Sequence, residues 1–94
     1  MSKPYDIIKN RAAQEETATL VDVLKMGEAA FLAAYAADDI ETCQTFNMVN
    51  CATIEALTER DQFLDAAIDQ WCDELPDDRS LAQFVIDYYT GVSA

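Results

Sequence analysis

Carboxylates recur at a fixed interval through the second half of the chain. Asp61, Asp65, Asp69, Asp73 and Asp77 stand four apart, Asp78 follows, and Glu55 and Glu59 form a further pair four apart just before them. Side chains four apart lie one above another on a helix, so this spacing sets the acids in a ladder whose step is about 6 Å. Carboxylates so arranged have three chemical uses: holding a divalent cation, general acid–base work, or pairing with Lys and Arg that otherwise grip phosphates. Like charges at i, i+4 cost roughly 0.2–0.5 kcal/mol per pair in an isolated helix. Lysines at alternate positions would stabilise the helix, yet Arg60 is the one base among residues 55–78.

The first two uses find little support in the rest of the sequence. There is no histidine, no glycine-rich phosphate loop and no G-x-S-x-G or P-loop pattern. Helical nucleotide pyrophosphohydrolases hold Mg²⁺ with paired E-x-x-E and E-x-x-D helices, and this ladder does not follow that spacing. Cys43, Cys51 and Cys72 form no C-x-x-C pair, which with the missing histidines leaves no zinc set. Neither catalysis nor a metal or cofactor is expected. The odd thiol count fits free cysteines in a reducing cytoplasm, where small apolar thiols belong in a core.

Charge supports the third use. Eighteen acids against six bases leave the 94-residue chain at −12. Residues 1–25 are neutral, with Lys3, Lys9, Arg11 and Lys25 facing Asp6, Glu15, Glu16 and Asp22; the whole excess lies beyond them. An acidic face so directed is repelled by nucleic acid and anionic membranes, and its complement is a basic protein. A duplex carries one negative charge per roughly 1.7 Å of axis, a density that several acidic elements side by side would approach. No apolar run reaches the length of a membrane span, and the opening M-S-K-P-Y lacks a signal core.

The elements that position the acids read as all-α, a single compact bundle of four to five helices at about 4–16, 19–37, 39–57, 59–75 and 79–90. Leu64, Ala67, Ile68, Trp71, Cys72 and Leu75 form an apolar stripe opposite Asp65, Asp69 and Asp73. Pro4 suits a helix start, with Tyr5, Ile8 and Ala12 on one face. Thr19 with Asp22, or else Thr17, opens the second helix, whose stripe is Leu20, Val23, Leu24, Gly27, Phe31, Ala34 and Tyr35. Gly27 either admits a close neighbour or divides two helices, and continuous periodicity favours one helix. Ile40, Cys43, Asn47, Cys51, Ile54 and Leu57 make the third stripe, with Phe46, Met48 and Val49 off it. That helix is either central and buried on several sides or a surface awaiting a partner, and buried Asn47 or Asn50 would need partners. Thr58 with Asp61 signals a fresh helix start, which makes Asp61 a cap instead of a rung. Pro76 stops the fourth helix, Asp77 or Ser80 caps the fifth, and Gly91 ends it. On that last helix Tyr88 is expected in the core, with Tyr89 at its edge as an interface aromatic.

In size, acidity and lack of catalytic groups the chain is similar to phage-encoded DNA mimics, including some anti-restriction and anti-CRISPR proteins. The likeness spans the composition of the whole chain and no motif. It implies a non-catalytic inhibitor that seats Glu55, Glu59, Asp65, Asp69, Asp73, Asp77 and Asp78 in the groove of a nucleic-acid-binding protein, in the host cytoplasm if phage-encoded. The alternative expectation is a helical adaptor or regulatory subunit. Its acids would confer solubility and its affinity would come from apolar residues. Phe46, Met48, Val49 and Tyr89 are the expected seam for that partner or for a homodimer.

Overall fold

A computed structural model describes residues 3–74 and 79–91. Five helices follow in order: α1 Pro4–Ala12, α2 Thr17–Ala36, α3 Ile40–Arg60, α4 Gln62–Glu74 and α5 Leu81–Thr90. There is no strand among the described residues. The all-α bundle is the architecture that the helical periodicities require.

Helix ends follow from local chemistry. Pro4 opens α1 at a position where a missing N–H costs nothing. α1 stops four residues short of the expected end because Arg60 reaches across from α3. Its guanidinium donates to the carbonyls of Ala12 at 3.0 Å and Glu15 at 2.6 Å, satisfying acceptors that a continued helix would have used. α2 starts at Thr17, so Thr19 and Asp22 lie inside the helix and form no capping box. Gly27 divides nothing: α2 runs through it. Asp38 takes the left-handed conformation (φ 60°) and turns the chain into Asp39, whose carboxylate caps α3 at the N–H and hydroxyl of Thr42. Thr58 turns back to the Glu55 carbonyl at 2.9 Å, so α3 continues to Arg60. The fresh start falls on Asp61, which accepts from the N–H groups of Phe63 and Leu64. Ser80 caps α5, and Gly91 ends it at φ 75°. Pro76, Asp77 and Leu75 lie outside the described residues.

α2 and α3 form the long antiparallel spine, 20 and 21 residues. α1 lies on α3, α5 on α2 and α3, and α4 on α3 and α5. The core is Leu20, Leu24, Ile54, Leu57, Leu64, Val85 and Ile86, with Ala12, Ala56 and Ala82 letting helices approach. Fully burying each such aliphatic contributes about 1.5–3 kcal/mol. Gly27 sits against the side chain of Asn50 on α3.

The sequence stripes are displaced on α5 and α3. On α5 the periodicity predicts a stripe of Leu81, Phe84, Val85 and Tyr88. Val85 is fully buried, and Leu81 and Phe84 pack half-buried against the core, but Ala82 and Ile86 complete the buried arc and Tyr89 takes the place expected for Tyr88. Tyr88 is therefore 39% exposed, and Tyr89 turns inward. On α3, burial is confined to the second half, at Asn50, Ala52, Thr53, Ile54, Ala56 and Leu57, because α1, α4 and α5 add their cover to α2 over that half alone. Asn47 is exposed, and of the two asparagines only Asn50 is enclosed. The cysteines are not core residues: Cys51 and Cys72 are exposed and Cys43 is half-buried, all as free thiols.

Candidate functional site

Asp61 anchors the acidic helix at its base. Besides capping α4 it accepts the Tyr89 hydroxyl at 2.8 Å, tying the start of α4 to the end of α5. The Tyr89 donor, helped by two backbone N–H groups, holds the Asp61 carboxyl below its ordinary range. Burial, and then the bond to Asp61, push the Tyr89 phenol up. Leu64, Ile68 and Trp71 fasten the inner arc, with Trp71 stacked on Phe84 at 4.9 Å between ring centres. Phe84 in turn lies under the guanidinium of Arg79 at 5.3 Å.

With the inner arc so fixed, Asp65, Asp69 and Asp73 point outward, and all three are exposed. Among the described residues none of them has an ion pair or a side-chain hydrogen bond. No base lies within α4. Glu74 is tied to Gln70 at 3.0 Å.

The rest of the expected ladder divides. Glu55 and Glu59 belong to α3, and the break at Asp61 turns them towards α1. Lys9 bridges both, at 3.1 and 2.7 Å, and the Tyr5 hydroxyl donates to Glu55. Tyr5 and then Lys9 lower the Glu55 carboxyl. The same bond raises the Tyr5 phenol to about 12, while Glu59 and Glu55 raise the Lys9 ammonium. These two glutamates are a tether for α1 and are already matched by a cation. Asp77 and Asp78 lie outside the described residues. Phe46, Met48 and Val49 are half-buried, and Val49 lines a cleft of about 360 Å³ between α1, α2 and α3.

Two features escape a reading of periodicity. Glu28 is buried (6% exposed) and takes the hydroxyl of Ser80, so a carboxylate sits beside the α5 N-terminus, where the helix dipole favours it. At the opposite end of α2, Tyr35 and Ile40 stand 74% and 66% exposed beside Asp38 and Asp39. Helix length was the available signal, since α1 and α5, at 9 and 10 residues, cannot cover a spine twice as long. Among the described residues no three Cys, Asp or Glu side chains gather as a metal-binding group. Comparison with protein-family models, with curated proteins and with solved structures gives no match.

Proposed function

We propose that this protein is a non-catalytic inhibitor that occupies a positively charged surface of a nucleic-acid-binding protein. The observation that carries the reading is the division of the acids. Glu55 and Glu59 are matched by Lys9, whereas Asp65, Asp69 and Asp73 share one exposed arc with no cation beside them. Holding three like charges one turn apart costs stability, and a basic groove offsets that cost on binding. The carboxylates would meet Lys and Arg that otherwise hold phosphates, so inhibition is competitive with the nucleic acid. No helix among the described residues is long and apolar enough to cross a membrane.

The adaptor reading is favoured by a different observation, the exposed apolar side chains at the α2–α3 turn. One experiment separates the two. Wild type and the Asp65→Asn/Asp69→Asn/Asp73→Asn variant are used to capture proteins from a cell lysate at low and moderate salt, and the captured proteins are then challenged with duplex DNA or RNA. The inhibitor reading expects partners that the variant loses, that salt weakens steeply and that nucleic acid displaces. Partners held equally by the variant and unmoved by nucleic acid would refute it in favour of the adaptor.

A further inference from the structure

The spine is longer than what covers it. Twenty helical residues span about 30 Å and ten span about 15 Å. α5 starts beside Glu28, where Ser80 meets that carboxylate, and runs towards Asp61, where Tyr89 ends it. α1 is tied to Glu55, Glu59 and Arg60. Both short helices therefore lie along the same half of the spine. The other half, residues 29–49, projects as a two-helix arm in which Ala34 is the one buried residue. The apolar stripe of α2 continues onto this arm: Phe31 is half-buried beside Leu81 and Ala82, and beyond it Tyr35 stands 74% exposed.

At the tip the two helices enclose an open groove of about 440 Å³. Tyr35, Ile40 and Cys43 wall it, and Asp38, Asp39 and Gln44 complete the lining. Glu41 is exposed close by, and no base occurs between Lys25 and Arg60. The tip is preformed, because the turn is set by Asp38 and its second helix is capped by Asp39. Little ordering cost attends binding there.

The geometry points to this arm as a docking element for a basic amphipathic segment of a partner protein. Aliphatic or aromatic side chains of that segment would fill the groove between Tyr35 and Ile40, and its Lys or Arg would meet Asp38, Asp39 and Glu41. Charge selects this occupant over a second copy of the chain. A second copy brings −12 of like charge, and three of its six bases, Lys9, Arg60 and Arg79, are already engaged internally. Exposed aromatic side chains beside a charged rim are the usual anchors of such contacts. The inference rests on the reading that the partner is basic, and it adds a second contact site remote from the α4 carboxylates in sequence.

The test uses the full chain and two labelled probes of equal charge, a Leu/Lys amphipathic helical peptide and an oligolysine, titrated by fluorescence anisotropy. Wild type should prefer the amphipathic peptide by roughly tenfold, the scale of a single anchor residue. Tyr35→Ser and Ile40→Ser, both at exposed positions that the fold does not need, should each erase most of that preference. The Asp65→Asn/Asp69→Asn/Asp73→Asn variant should keep it, so failure of the α4 reading and failure of this one are read separately. Absent binding, equal binding of the two probes, or a preference indifferent to the arm substitutions would overturn the proposal. A wild-type dimer in sedimentation that Tyr35→Ser dissolves would also overturn it, naming a second copy as the cover.

Discussion

Gly27 and Asn50 offer the sharpest test of how the spine is held. A Cβ added at Gly27 falls inside the van der Waals envelope of Asn50 Oδ1 and 3.2 Å from its Cγ. Asn50 is only 6% exposed and its Oδ1 has no hydrogen-bond partner, so to admit the Cβ its amide must swing towards the cleft it lines with Phe31 and Leu81. Ala is favoured over Gly in a helix interior by about 1 kcal/mol, while overpacking a close contact costs about 1–3 kcal/mol. Gly27→Ala alone should therefore destabilise the fold by about 1 kcal/mol. In an Asn50→Ala background the obstacle is gone, and the same substitution should stabilise by up to about 1 kcal/mol. The double-mutant cycle then yields a coupling near 2 kcal/mol, well above the ~0.5 kcal/mol scatter of independent sites. Urea unfolding followed by far-UV circular dichroism measures all four proteins. Additive effects would refute the reasoning and mean that the helices separate at this point in solution.

Three further outcomes are expected. Glu55 and Asp61 both have carboxyls lowered from their ordinary values of 4.5 and 3.8, so they contribute stability that is fully present above those values. That stability is lost as pH falls through the depressed folded values; urea midpoints should drop below pH 4.5, and less steeply in Glu55→Gln. In a spectrophotometric titration, Tyr5→Phe should remove a phenol that ionises at about 12, and retention of that component would assign it to another tyrosine. Ser80→Ala removes both the α5 cap and the donor to buried Glu28; a loss of about 1–3 kcal/mol is expected in urea melts, and a loss under ~0.5 kcal/mol would show that neither bond matters.

The five helices were legible because their caps are local: Pro4, Asp39, Asp61, Ser80 and Gly91 each act on backbone within a few residues. Packing partners are not local. The residues between Glu55 and Asp73 read as one acidic face, and the signal for a break at Asp61 was present. What no spacing reveals is that Tyr5, fifty positions from Glu55, and Lys9 wait for the first part of that face. On α5 the arc is set by where Tyr89 finds Asp61, a choice between adjacent aromatics that hydrophobicity alone does not make. On α3 the polar residues Asn50 and Thr53 are buried and Ile40 is not. Position along the spine decides burial there, and apolar character does not.

The uncovered arm also sets a colloidal condition on the molecule. Of its 21 residues, 14 are apolar, and a projecting finger of that composition would cluster with its own kind wherever molecules meet. Mutual repulsion between bodies of charge −12 keeps such encounters brief. The repulsion fades as pH nears the isoelectric value of about 4.1, while the lowered carboxyls of Glu55 and Asp61 hold the tethers of α1 and α4 to more acid pH. Solubility should therefore fail before the fold as pH falls. At neutral pH the surplus of carboxylates has a second consequence: it opposes the pairing of two such fingers.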